Sequence, residues 1–273
     1  MIKIFIAKCL YRFFKLFLKD DIRLIKRRGI NYEVNLSEAI DFALFLSGSF
    51  QKEVIASTYY KIPNDAVIFD VGANVGSMSL PLAEQTKNGQ IYSFEPTHYA
   101  FSKFKKNLSL NTDLAKRITL INTFVSDKVT KFDTSATYSS WKLSSDDVNK
   151  HQTHGGTKNS SEGVGVVTLD EVVEKEKIQR LDFLKIDTDG HEFYVLKGGK
   201  EAIAKFKPVI VFEVGAYLLK ERGIDFKEFL DFFKKLNYQL FCTQTNREVA
   251  ADNYQQTIPL NFTTDIIAIP RNA

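Results

Sequence analysis

From residue 66 onward the chain repeats one unit: a short, almost continuous apolar run, then a stretch with helical periodicity. The runs fall at 66–72, 90–96, 118–126, 181–187 and 208–214, with helical stretches at 76–86, 97–111, 191–206 and 226–236. Runs that are apolar on both faces and alternate with helices predict a mainly parallel sheet covered on both sides. Two further runs, 238–244 and 263–270, complete seven strands. No helical pattern separates these two, so one of them is expected to run antiparallel.

Ahead of the repeat, 31–36 reads as a strand and 37–48 as a helix ended by Gly48. Residues 51–62 read as a second helix stopped by Pro63. Residues 127–165 break the rhythm with Ser, Thr, Asn, Gly and Lys. Such a segment in a compact domain predicts a functional loop or a disordered one, and as a loop it would serve as a lid, with Tyr138 and Trp141 offering flat surfaces to a ligand. Its two histidines, His151 and His154, lack a nearby third ligand, so no metal is expected there.

The net charge of +4 hides an asymmetry. Residues 1–28 hold nine Lys/Arg and two Asp, a balance of +7, which leaves 28 Lys/Arg against 31 Asp/Glu, or −3, for the rest. The body therefore carries no nucleic-acid footprint. Lys8, Arg12, Lys15 and Lys19 are spaced to share one helical stripe beside an Ile-, Leu- and Phe-rich remainder. Residues 1–29 are expected to form a basic amphipathic helix, too interrupted by charge to span a bilayer. It would lie on an anionic membrane surface, or pack on the protein's own body or a second subunit. Cys9 and Cys242 show no metal or redox spacing, which suits a reducing, cytoplasmic setting, and the basic N-terminal helix is the segment that would make any peripheral contact at the inner face of the membrane.

Chemistry concentrates at strand ends. "FDVGANVG" places Asp70 at the end of the first run, followed by a turn with Gly72 and Gly76 that lets backbone approach a ligand. Its D-x-G-x-N-x-G spacing is not the dinucleotide fingerprint. "YSFEP" puts Glu95 at the end of the second run, where a carboxylate can accept both hydroxyls of a ribose. Ser126 and Asp127 stand at the end of the third, placed to meet an adenine amino group. Three such strand ends read as a nucleoside site without a Walker lysine.

With "VVTLDEVV", "LDFLKIDTDGHEFYVLKGG" and "VIVFEV" in order, the sequence resembles the FkbM-type methyltransferases over residues 30–270. Here "IDTDGHE" places Asp189 where that family carries Glu. The resemblance implies a Rossmann-like, doubly wound domain over 30–273 and S-adenosylmethionine as cofactor. The turn with Asp70, Gly72, Ala73, Asn74 and Gly76 would pass the methionine part, Glu95 would hold the ribose and Asp127 would face the adenine. Asp187 would lie nearest the reacting methyl. Methylating a hydroxyl needs a base within reach, and Asp187 and His191 are candidates, with Glu192, Asp189 and Glu213 orienting the acceptor. The clustered acids are also suited to a divalent cation. The implied reaction is O-methylation of a hydroxyl on a surface-glycan sugar or a related natural product. A non-catalytic scaffold is the first alternative. An NAD-dependent sugar oxidoreductase is the second, but it requires a third glycine after Gly76 and a Tyr-x-x-x-Lys pair that the sequence lacks.

Overall fold

A computed structural model describes residues 2–128, 131, 133–143, 150–153 and 155–271. His154 lies outside these. The chain starts with helix α1 (Ile2–Lys15) and continues as a hairpin of β1 (Ile22–Arg27) and β2 (Ile30–Asn35). The helix expected over 1–29 is thus shorter, and its last third is strand. Arg28 and Gly29 form the hairpin turn with φ of 49° and 86°, the positive pair that a two-residue primed turn requires. Helix α2 (Ala39–Ser47) ends on Gly48, whose φ of 71° is the left-handed cap expected. The helix expected over 51–62 is one turn, α3 (Lys52–Ile55). Beyond it the Ser57 hydroxyl accepts the Tyr59 N–H, a local bond that competes with helix continuation.

The repeat then builds β3 (Val67–Val71), α4 (Ser79–Gln85), β4 (Gln90–Phe94), α5 (His98–Ser109), α6 (Thr112–Ala115) and β5 (Ile118–Ile121). Next come the two-residue β6 (Phe124–Val125), the hairpin β7 (Ala136–Ser140) and β8 (Thr157–Ser160), and β9 (Val166–Val167). After α7 (Leu169–Lys175) follow β10 (Phe183–Ile186), α8 (Glu192–Gly198), α9 (Lys200–Phe206) and β11 (Val209–Val214). The chain closes with α10 (Ala216–Arg222), α11 (Phe226–Lys235), β12 (Tyr238–Cys242), β13 (Arg247–Glu248), α12 (Tyr254–Thr257) and β14 (Thr264–Pro270).

The central sheet has the order β13-β12-β14-β11-β10-β3-β4-β5. It has eight strands rather than seven, because the two-residue β13 folds back on β12 at the edge. β14 is antiparallel to both β11 and β12, and the other long strands run parallel. Order reverses between β3 and β10. Such a switch point opens a crevice at the carboxyl ends of the strands.

Alternation along each strand feeds two cores. Phe69, Val71, Leu184, Ile186 and Phe212 face helices α7, α8, α9 and α11. Ile68, Phe183 and Val211 face the other way, where Tyr32, Val34, Leu36, Phe42 and Leu44 cover them together with α4 and α5. The segment before residue 66 is therefore one wall of the domain. Among the described residues no helix is long and apolar enough to cross a membrane.

Candidate active site at the switch point

The crevice holds a cavity of about 710 Å³. Gly72, Ala73 and Asn74 line it from the turn after β3, Glu95 from the end of β4, and Asp187, Thr188, Asp189 and His191 from the loop after β10. Glu213 lines it from β11, and Tyr138 and Trp141 from the 136–143 segment.

The turn after β3 is tight because strands meet there. A Cβ on Gly72, at φ 81°, would sit 1.8 Å from the Asp187 carbonyl oxygen, so any side chain would push β3 and β10 apart. Five successive amides of this turn are already engaged. Gly72 and Ala73 donate to the Phe94 carbonyl, Asn74 to Glu95 Oε2, Val75 to Asn74 Oδ1 and Gly76 to the Ala73 carbonyl. None of the five is left to cradle a phosphate.

Asp70 lies under the turn, not in the cavity. It is fully buried, and its Oδ2 accepts from the Ser79 hydroxyl at 2.5 Å, which ties the strand end to α4. Parallel register sets Lys185 beside Asp70, with Nζ 3.9 Å from Oδ1. Lys185 Nζ also donates to Asp187 Oδ2 at 3.1 Å, and Lys185 reaches the cavity. Burial alone would lower the Lys185 pKa, but the carboxylates of Asp187 and Asp70 outweigh it and hold the ammonium charged. Burial raises the Asp70 pKa and Lys185 opposes that rise.

Asp187 also accepts from Gln51 Nε2 at 3.1 Å. Gln51 follows α2 with φ 48°, and its Oε1 is buried without a hydrogen-bond partner beside the cavity. Neither Lys185 nor Gln51 stands out in the sequence. The lysine is one cation in an apolar run, and the glutamine arrives from 136 positions away.

Glu95 is buried and accepts from the Thr97 amide and hydroxyl on Oε1 and from the Asn74 amide on Oε2. Burial pushes its pKa up to about 7, against those three bonds. Asp189 and Glu213 are raised well above ordinary carboxylates, first by burial and then by the charge of Asp187 and other nearby acids. The Thr263 hydroxyl donates to Glu213 at 2.6 Å. His191 is lowered to about 3 by burial and by Arg222, a residue of the unanticipated α10.

Besides Asp70, four expected site residues stand off the cavity. The third strand ends at Ile121, because Asn122 leaves the sheet to donate to the Glu95 and Pro96 carbonyls. Phe124 and Val125 then pair with β9, carrying Ser126 and Asp127 past the cavity. Asp127 forms an ion pair with Lys197 at 2.6 Å, and Ser126 is buried against Gly198. Thr123, Phe124 and Val125 take their place on the cavity wall. Glu192 is the third. It lies under the loop, and its Oε1 accepts from the Thr188 amide and hydroxyl and the Gly190 amide. It shapes the Asp189–Gly190 turn, whose φ values of 50° and 97° need such support. Gly76 also stays off the cavity and packs on the Phe104 ring.

The 136–143 segment roofs the cavity. It is tied to the N-terminal wall by Ala39 N–H to the Trp141 carbonyl, Leu143 N–H to the Ser37 carbonyl and Trp141 N–H to Glu38 Oε2. Asn74 Nδ2 donates to the Ser139 carbonyl and joins the roof to the turn. His151 packs edge-on to Tyr138 and bonds Glu221 of α10. Among the described residues no group of three or more His, Cys, Asp or Glu is arranged to hold a metal ion.

Comparison with known proteins gives one family. The model of the family described as "Methyltransferase FkbM domain" matches residues 70–240, more than half of the chain. A hexuronic acid methyltransferase, AglP, of Haloferax volcanii is 23% identical over 198 residues, covering 72% of this chain and 74% of that protein. Among solved structures, methyltransferase FkbM from Methylobacillus flagellatus KT aligns with a TM-score of 0.48 at 18% identity. The match covers 78% of this chain and 45% of that one, less than half its length. Precorrin-6y C5,15-methyltransferase from Geobacter metallireducens GS-15 gives 0.45 at 15% identity, covering 81% and 86%. The M. jannaschii TYW2 structure in complex with AdoMet gives 0.43 at 14%, covering 92% and 86%.

Proposed function

The chain belongs to the FkbM methyltransferase family, and from that premise we propose that it moves the methyl group of S-adenosylmethionine onto a hydroxyl of a glycan sugar. The observation that carries this reading is one cavity lined by two chemically different sets of groups. One set offers acceptors: the Glu95 and Asp187 carboxylates and the unsatisfied Gln51 Oε1. That set fits a ligand with an ammonium and a ribose diol. The engaged amides after β3 weigh against a dinucleotide, whose pyrophosphate would need them free. The other set joins Asp189, Glu213 and His191 to the rings of Tyr138, Trp141 and Tyr217. Flat rings beside hydrogen-bonding groups suit a sugar.

Glu95 would hold the ribose, Thr123, Phe124 and Val125 would flank the base, and Gly72–Asn74 would pass the amino-acid part. When bound, the cofactor supplies an electrophilic methyl on a sulfonium sulfur. Asp187, which accepts from Lys185 Nζ and Gln51 Nε2, orients donors at the reacting centre. The acceptor hydroxyl must lose its proton as it attacks, and the base works best with a pKa near the operating pH. His191 is too weak a base for this, since it takes up a proton only near pH 3. Asp189 or Glu213, whose proton affinity burial and neighbouring charge increase, is better matched.

Calorimetric titration tests the cofactor assignment. S-adenosylmethionine should bind and NAD should not; the reverse result would overturn the reading. Against a panel of glycosides and uronic acids, Asp187→Asn should lower kcat by about 100-fold, because the groups it orients lose their acceptor. Full activity of that variant would remove Asp187 from the mechanism.

A further inference from the structure

Helix α1 and the turn that follows it at 16–19 carry three parallel stripes, each with the spacing 4, 3, 4. Ala7, Tyr11, Phe14 and Leu18 face the protein. Tyr11 and Phe14 pack edge-on to Phe42 with centroids 6.1 Å away, and Phe14 to Phe45 at 5.6 Å. One position back, Ile6, Leu10, Phe13 and Phe17 form a second apolar stripe, and all four are exposed. One position forward lie Lys8, Arg12, Lys15 and Lys19. At about 100° per residue the second and third stripes flank the buried one, and Leu16, 78% exposed, points away from the body between them.

Packing on the body, one of the placements open from the sequence, therefore occupies one face of the helix and leaves the other faces exposed. Ten large apolar side chains are exposed among the described residues, and seven of them lie between Ile6 and Leu24. Concentration of this kind marks a docking surface rather than scattered surface leucines.

We propose that this face docks on an anionic lipid bilayer, with the Ile6–Phe17 stripe in the acyl boundary and Arg12 and Lys19 at the headgroups. Charge selects this occupant. Residues 1–28 carry +7 and the rest −3, so an anionic surface attracts this segment and turns the body away. A symmetric pair of copies would instead press two like-charged stripes together. Ile22 and Leu24 on the outer face of β1 extend the apolar surface next to Asp21, which Lys15 and Tyr11 bind. Lys8 of the basic stripe also lines the cavity. Docking thus sets the cavity beside the membrane surface, which, on the methyltransferase reading, suits a sugar carried on a lipid.

The test is co-sedimentation of the full chain with vesicles of phosphatidylcholine containing about one-third phosphatidylglycerol, without cofactor, so that it is independent of the titration above. Binding should appear on these vesicles, weaken with salt and be far lower on pure phosphatidylcholine. Leu16→Ser/Phe17→Ser and, separately, Arg12→Glu/Lys19→Glu should each reduce it by about tenfold or more with unchanged thermal unfolding. All four positions are exposed and lie outside the cavity. Equal binding by either variant would overturn the proposal. So would a chain that ignores vesicles and forms a dimer, by light scattering, that Leu16→Ser/Phe17→Ser dissociates.

Discussion

Glu95 is buried where a charge is costly, and a bound diol would offset that cost. Its folded pKa of about 7 stands above its ordinary 4.5, so between those values the folded chain holds a proton that the unfolded chain has released. The contribution of Glu95 to stability is therefore full below pH 4.5 and lost as pH rises through 7. Ligand binding has the opposite dependence, because the ionised carboxylate is the better acceptor for ribose hydroxyls. The affinity for S-adenosylmethionine should rise by roughly tenfold from pH 6 to pH 8. In Glu95→Gln this dependence should vanish, and at pH 8 binding should weaken by about tenfold. Titrations at three pH values read both effects, and a pH-independent affinity in the unaltered chain would remove Glu95 from the ribose site.

Among elements, the roof matters most to function. Glu38 is buried at the entry to α2 and accepts from Trp141 N–H at 3.1 Å and the Tyr99 hydroxyl at 3.2 Å. Glu38→Ala should free the 136–143 segment. Expected results are a red shift of the single tryptophan, faster proteolysis in that segment and a higher KM for the acceptor, while cofactor affinity holds. Loss of these buried bonds should cost about 1–3 kcal/mol. Unchanged emission and proteolysis would show the roof is held without Glu38. The strands behind this architecture were legible because apolar runs buried on both faces leave a plain signal, and Glu95 and Asp187 followed from their ends. Helix α10 was not legible, since AYLLKER follows β11 with only a glycine between. The break at Asn122 was also hidden. Residues 118–126 form one β-rich run, and only the tertiary bonds from Asn122 to Glu95 and Pro96 divide it, which displaced the expected role of Asp127. Lys185 and Gln51 reach the site through strand register and chain return, which no local pattern encodes.

At the scale of the molecule, the two cores cannot be separated, because β3, β4, β10, β11 and β14 belong to both. Ile68 packs with Tyr32 and Phe42 on one side of β3, while Phe69 and Val71 pack with Phe212 and Ile186 on the other. A partly buried ion pair of Lys103 and Asp41, further held by the Asn35 amide, joins the N-terminal wall to α5. The wall should therefore melt with the sheet, in one transition. Phe42→Ala tests this. Phe42 is fully buried and supports Tyr11 and Phe14 of α1, so truncation should cost about 3–5 kcal/mol. For a chain of this size that lowers Tm by roughly 10 °C. Tryptophan emission reports the roof docked on the wall, and far-UV circular dichroism reports the whole sheet. If the wall is integral, both probes shift together and their curves superimpose before and after substitution. If it is an appendage, the emission transition alone moves and the dichroism midpoint stays in place.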